Sequence, residues 1–208
     1  MRKKFAIILT KIKNLKGSKM ENIIIRVTNK DDVHFASIIS AQIAASAVER
    51  KTGIAKRTPN YIAEKISKGN AIIAIDTELN APAGFCYIES WGQKKYVANS
   101  GLIIFPQYRC LGLARKIKEK AFKWSTKKFP NAKLFGLTTN LAVMKINTSL
   151  GYRPVTYSEL TSDQSFWDGC KGCVNHKILK ANDQKNCLCT GMIFDPDNSV
   201  KTDGDKNE

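Results

Sequence analysis

Short apolar runs alternate with helical periodicities along most of this chain. Ile23–Val27 is an apolar run of strand length. Thr28-Asn29-Lys30-Asp31 resembles a capping box, and Asp32 adds negative charge at a helix start. Val33, Phe35, Ile38, Ile39, Ile43 and Ala44 then recur at helical spacing to about Val48. A polar stretch, Glu49 to Lys56, separates this helix from the next, which Thr58 caps and Pro59 opens. Tyr61, Ile62 and Ile66 form its buried side. Ala71–Ile75 reads as a strand, Thr77–Asn80 as a turn, and Ala83–Trp91 as an alternating strand. On that strand Phe85, Tyr87, Glu89 and Trp91 share one face, and Cys86, Ile88 and Ser90 share the other.

Tyr96–Phe105 is the next strand, stopped by Pro106. A helix opening at Gly112 follows, with Leu113, Ile117, Ala121 and Trp124 as its apolar stripe. Lys133–Leu137 predicts a strand, and Thr138-Thr139-Asn140 opens a helix with Val143, Ile146 and Leu150 inward, closed by Gly151. Tyr152–Tyr157 and Cys187–Phe194 are the last predicted strands, separated by a long polar insertion. The predicted order is β-α-α-β-β-β-α-β-α-β-β.

A chain of 208 residues suits one domain with tails. Residues 1–19 form a basic extension with seven Lys/Arg and no acid. Phe5, Ile8, Leu9 and Ile12 could line one side of an amphipathic helix there, but translation from Met20 would leave the arm out. Residues 20–196 are expected to form the domain, with an insertion at about 160–186, and residues 197–208 a disordered polar tail. The net charge of +16 suits an anionic small molecule, an acidic amino acid or nucleic acid. No apolar run is long enough to cross a membrane, which makes a cytoplasmic location the expectation.

Candidate chemistry centres on Ser100 to Ile117, where an apolar strand feeds a loop and then a helix. Arg109-Cys110-Leu111-Gly112-Leu113-Ala114 places an arginine and a glycine at the helix start. Unpaired amides of a first helical turn, with the helix dipole behind them, attract anions. Glycine lets the backbone approach a ligand, and arginine can grip phosphate with two bonds. An ordinary strand-to-helix turn with a surface arginine accounts for the same spacing equally well.

The strand, Pro106, Arg109, Gly112 and Ala114 resemble the acetyl-CoA-binding motif of GNAT-superfamily N-acetyltransferases. Asn140 and Gly151-Tyr152 resemble that superfamily's second landmark. The resemblance implies a mixed, mostly antiparallel twisted sheet of six to seven strands flanked by four helices, an α+β fold. It implies that Leu102, Ile103 and Ile104 pair with the pantetheine arm. It also implies that amides from Arg109, Cys110, Leu111, Gly112, Leu113 and Ala114 surround the pyrophosphate, with Asn140 nearby. Where many members place a tyrosine acid, four residues before Gly151, this chain has Asn147, which can donate a hydrogen bond but not a proton. Glu89 is the expected base, with Ser100 or Asn99 holding a water; a solvated or salt-bridged strand residue is the other reading of Glu89.

Leu137-Thr138-Thr139 resembles the acetyltransferase domain of N-acetylglutamate synthases. That resemblance implies a small amino acid as acceptor, glutamate first, with arginine biosynthesis as the setting. Thr138, Thr139 and Arg153, with Lys145 as an alternative cation, are the candidate acceptor residues. Another acyl-CoA, another amine, a protein acceptor or a homodimer stays open.

Cys170-Lys171-Gly172-Cys173 precedes Cys187-Leu188-Cys189 by thirteen residues. Two such pairs suit structural zinc; four reduced thiols beneath a loop are the alternative. Phe166 and Trp167, just before the first pair, are placed to cover a cleft. Outside the enzyme class, the sequence admits an acyl-CoA-binding module or a nucleic-acid-binding protein. Against the latter, aromatic and basic residues do not interleave.

Overall fold

A computed structural model describes residues 20–50 and 57–199. The basic extension, the end of the polar stretch after Arg50 and the tail beyond Ser199 lie outside the described residues.

Seven strands form one sheet in the spatial order β1-β2-β3-β4-β5-β7-β6. They are β1 (Ile23–Val27), β2 (Ala71–Asp76), β3 (Ala81–Trp91), β4 (Tyr96–Ile104), β5 (Lys133–Thr138), β6 (Arg153–Val155) and β7 (Thr190–Phe194). Only β4 and β5 run parallel; the other neighbours are antiparallel. Among the described residues four longer helices accompany the sheet: α1 (Ala36–Arg50), α2 (Pro59–Ser67), α3 (Leu113–Lys128) and α4 (Leu141–Ser149). The sheet and these four helices match the α+β expectation.

The local reading differs in detail at three places. Asn29, not Thr28, caps the first turn, its side chain accepting from Asp31 N–H while Asp32 accepts from Asn29 N–H. Thr28 is withdrawn from that role because its hydroxyl bonds the carbonyls of Ile66 and Ala71. Ile38, expected inside, is half exposed, while Ile39 and Ile43 carry the buried side of α1. The last two strands are shorter than their apolar runs, since β6 spans three residues and β7 begins at Thr190, past both cysteines.

The insertion folds rather than looping free. It forms α5 (Gln164–Asp168), a 3-10 turn (Gly169–Gly172) and α6 (His176–Ala181). Trp167 and Leu179 bury against Phe135, Tyr157 and Ile193, a second core beside the main one. The indole N–H of Trp167 donates to the Thr161 carbonyl at 2.9 Å, so its polar edge is satisfied inside. A short C-terminal helix, α7 (Pro196–Ser199), follows β7.

Two faces of β3 sort the packing. Gly84 lies against Ile117 of α3, and Cys86 lies beside Lys118 of the same helix. From the opposite face, Tyr61 and Lys65 of α2 bond Glu89, and Tyr61 packs edge-on against Tyr87. The alternation read along β3 therefore separates an α3 side from an α1–α2 side.

Candidate functional site

The sheet opens in the middle. β4 and β5 pair through only three residues each, ending at Ala98 and Phe135, although β4 runs on to Ile104 and β5 to Thr138. Beyond that point the two strands part. Buried backbone N–H and C=O groups need partners. An edge left open inside a protein therefore invites an extended ligand that pairs as a strand would.

A bulge sharpens the opening. Phe85 pairs Ile103 and Tyr87 pairs Ser100, so β4 spends one residue more than β3 across this step. Gly101 lies in the bulge at φ +64°, with the Tyr87 ring so close that a Cβ would stand 2.4 Å from it. Glycine is required there on both grounds: the left-handed backbone and the ring.

A cavity of about 730 Å³ fills the opening. Of the residues expected from sequence, it is lined by Glu89, Asn99, Ser100, Leu102, Ile103, Thr138, Thr139, Asn140 and Asn147. Ile104 is buried on the same strand, outside the lining. Arg153 does not reach the cavity. It is half exposed on the outermost strand and paired with Glu159 at 2.7 Å. Lys145 is exposed on α4.

On the α1–α2 side the cavity wall is aromatic and charged. Tyr61 donates to Glu89 Oε2 at 2.6 Å, and Lys65 Nζ reaches Oε1 at 2.5 Å. Both oxygens of Glu89 are thus engaged. Burial, the neighbouring Tyr87 and the bond to Glu89 all raise the Tyr61 pKa, so its hydroxyl stays protonated and donates. Arg57 donates from Nε to the Tyr87 hydroxyl at 2.6 Å and lies over the Tyr61 and Tyr87 rings. Trp91 and Phe166, edge-to-face at 5.1 Å, add to the wall. Of the two aromatics expected to cover the cleft, Phe166 lines it, whereas Trp167 points into the second core. Arg57, Tyr61, Tyr87, Trp91 and Lys118 also line the cavity, and the sequence pattern does not single them out as site residues. Only the shared face of Tyr87, Glu89 and Trp91 signalled any of them.

The loop after β4 lies beyond the cavity. A 3-10 turn at Pro106–Tyr108 is pinned by the Tyr108 hydroxyl, which donates to Asp76 at 2.8 Å. Gly112 caps α3 at φ +79°, with open space where a Cβ would stand. The Lys116 amide bonds the Gly112 carbonyl at 3.3 Å, leaving the amides of the turn ahead of it for other acceptors. Arg109 forms two bonds to Glu49, at 2.9 and 3.0 Å, and its buried Nε has no partner among the described residues. The glycine cradle and the uncommitted amides fit a phosphate-bearing ligand such as coenzyme A.

The four cysteines of the insertion all line the cavity, as free thiols. Burial, followed by the charges of neighbouring thiols, pushes Cys170 up to about 11 and Cys189 up to about 12. Their chelating geometry does not form. Cys187 and Cys189 precede β7 instead of sharing a strand face, and Cys173 Sγ instead accepts from the Asn175 amide. Among the described residues no three His, Cys, Asp or Glu side chains are grouped to hold a metal, so the zinc expectation is not supported. Nor is any helix among the described residues long and apolar enough to cross a membrane.

No family model matches the chain, and no curated protein matches it. Solved structures do. The chain is similar to N-acetylglutamate synthase from Neisseria gonorrhoeae, solved with coenzyme A and N-acetyl-glutamate. Identity is 17%, with 83% of this chain and 35% of that one covered, at a TM-score of 0.58. A GNAT-superfamily phosphinothricin acetyltransferase from Sinorhizobium meliloti, solved with acetyl-CoA, is 14% identical over 84% of this chain and 88% of its own, at 0.54. A GNAT-family acetyltransferase from Staphylococcus aureus is 13% identical over 84% and 99%, at 0.56. The chain has the fold of GNAT acetyltransferases, and it spans about a third of the synthase's length.

Proposed function

We propose that the protein is an acyltransferase that uses acetyl-CoA to acetylate the amine of a small amino acid, with glutamate the first choice and arginine biosynthesis the setting. The observation that carries this reading is the parting of β4 from β5. It leaves a strand edge inside a cavity, in line with a glycine-capped helix start. Leu102 to Ile104 would pair with the two amides of a pantetheine arm, and the amides from Cys110 to Ala114 would hold the pyrophosphate, the Arg109 amide being withdrawn from that set because it bonds the Pro106 carbonyl at 3.2 Å. Solved neighbours with this fold hold coenzyme A or acetyl-CoA, which supports the donor class.

The acceptor enters from the α1–α2 side, between Tyr61, Glu89, Trp91 and Phe166. Arg57 supplies positive charge there for an acceptor carboxylate, which Arg153, paired with Glu159 outside the cavity, does not reach. Thr138 and Thr139, on the β5 side of the opening, contribute hydroxyls. The acceptor amine attacks the thioester carbonyl directly. Backbone N–H groups of the bulged β4 segment are placed to stabilise the oxyanion, and Glu89 takes the amine proton through a water. Asn147 takes no proton step.

The test is thiol release from acetyl-CoA against a panel of free amino acids including glutamate. Turnover with glutamate above the rest of the panel is expected. Absence of coenzyme A binding would overturn the reading. A second reading, a binding module without turnover, is favoured by Asn147 at the tyrosine position; it requires tight acetyl-CoA binding and no thiol release with any amine.

A further inference from the structure

Lys118 has no role in the reaction outlined above, yet it lines the same cavity. It stands on α3 with 2% of its surface exposed. Its amine has the Asn99 carbonyl at 3.5 Å and the face of the Tyr152 ring at 5.6 Å, with Cys86 nearby. Among the described residues no carboxylate pairs with it. A buried ammonium without a counter-charge is costly, and such lysines shed their proton. Burial accordingly pulls the Lys118 pKa below the ordinary lysine value. The fold keeps this amine in the wall of a cavity, where an incoming anion would favour its charged form.

The position is informative. Asn99 is the first residue of β4 beyond its last pair with β5, so Lys118 marks the apex of the opening. It approaches from the α3 side, across the sheet from Tyr61, Glu89 and Arg57. That placement separates it from the acceptor and puts it at the acyl end of a donor lying along β4. A second group at the same cavity also lacks a partner. Asn147 is 2% exposed, its amide N–H₂ meets the Met192 sulfur at 3.6 Å, and its Oδ1 has no hydrogen bond among the described residues.

Resting on the proposed coenzyme A site, we infer that the apex of the β4–β5 opening is a subsite for acyl thioesters whose acyl chain ends in a carboxylate. The Lys118 amine receives that carboxylate, and Asn147 Oδ1 accepts an N–H from the arm that delivers it. A two-carbon acetyl group leaves Lys118 unpaired, whereas a short dicarboxylic acyl chain supplies the missing anion.

The test compares free coenzyme A, butyryl-CoA and succinyl-CoA by titration calorimetry on the full chain. The two acyl chains have the same number of carbons and differ in a terminal methyl against a carboxylate. Succinyl-CoA is expected to bind about tenfold tighter or more than butyryl-CoA. In Lys118→Met that advantage disappears while affinity for free coenzyme A stays; Lys118→Arg, which keeps a cation, retains part of it. Equal or weaker succinyl-CoA binding by the wild-type chain overturns the inference without any variant, as does an advantage that survives Lys118→Met. Failure of free coenzyme A to bind overturns the proposed function and this subsite with it. Free coenzyme A binding without discrimination between the thioesters overturns the subsite alone.

Discussion

Gly101→Ala and Gly112→Ala separate the two uses of glycine around the opening. Both positions have positive φ, +64° and +79°, so each alanine pays about 1 kcal/mol of backbone strain. Their surroundings differ. At Gly112 a Cβ meets nothing within 4 Å, so the strain is the whole cost to stability. At Gly101 the same Cβ would stand 2.4 and 2.8 Å from two atoms of the Tyr87 ring. That ring is 1% exposed and its hydroxyl is held by Arg57, so it cannot step aside cheaply. Overpacking of this kind costs about 1–3 kcal/mol. Gly101→Ala is therefore expected to lose about 2–4 kcal/mol, against about 1 kcal/mol for Gly112→Ala. Urea unfolding with an unchanged m-value reads the difference directly. The ligand readout runs the other way. Gly112→Ala places a methyl where the backbone would meet the pyrophosphate and is expected to weaken coenzyme A binding by about tenfold. Equal stability losses in the two variants, or full coenzyme A affinity in Gly112→Ala, would refute the reasoning.

Arg109→Ala should cost at most about 1 kcal/mol, because its pair with Glu49 is largely exposed, yet lower coenzyme A affinity about tenfold in calorimetry. Phe166→Ala should raise the acceptor KM while leaving the coenzyme A Kd unchanged, since Phe166 packs on Trp91 and Phe135 away from the donor loop. For Asp32, burial opposes ionisation, but bonds from Arg26 and the Asn29 amide outweigh it and hold the carboxyl below 3.8. Its stabilisation is whole above the unfolded value and lost as pH falls through the folded one. Asp32→Asn should thus lose about 1–3 kcal/mol at pH 6 and nothing more once the pH falls below the folded value, read by urea unfolding at each pH. Neither a chelator nor added zinc is expected to shift Tm; a rise with zinc would mean that the four thiols do gather around a metal.

Element order was legible because apolar runs and helical stripes report local structure. Strands β1 to β5 and helices α1 to α4 lie close to where the pattern put them. What a pattern cannot carry is which strands become neighbours. The last strand inserts between β5 and β6, and nothing in the Cys187–Phe194 run says so. The same limit hid the partners of the site. Glu89 was legible as a carboxylate on a strand, but Tyr61 and Lys65 reach it from a helix 24 or more residues earlier. Lys118 looked like one more surface lysine on α3, since the helix carries several on its outer side. It sits one residue after Ile117, whose place on the apolar stripe was recognised, and that step turned it inward. Arg153 failed for the opposite reason: a cation close in sequence to Gly151 stands on the outer edge of the sheet.

The arrangement around Glu89 and Asn147 bears on how much acid–base help this site could give. Glu89 accepts from Tyr61 and Lys65 at once, so a water or an amine can reach either oxygen only by sharing it with one of those bonds. Asn147 cannot donate a proton to a leaving thiolate. Tyr152, the nearest tyrosine in sequence, is 2% exposed and packed against Phe122 and Phe194, and burial raises its pKa. Neither Asn147 nor Tyr152 is therefore suited to deliver a proton near neutral pH. Thioester aminolysis tolerates this, because the thiolate leaves readily and solvent can protonate it. On the proposed function, the larger share of acceleration would come from holding amine and thioester together, which can supply about 7–11 kcal/mol of the barrier. A rigid bulge at Gly101, an opening fixed by three β4–β5 pairs, and an aromatic wall locked by Glu89 are features suited to positioning. On this argument the Glu89 network acts first as a brace for the acceptor wall, and its proton transfer through water is secondary.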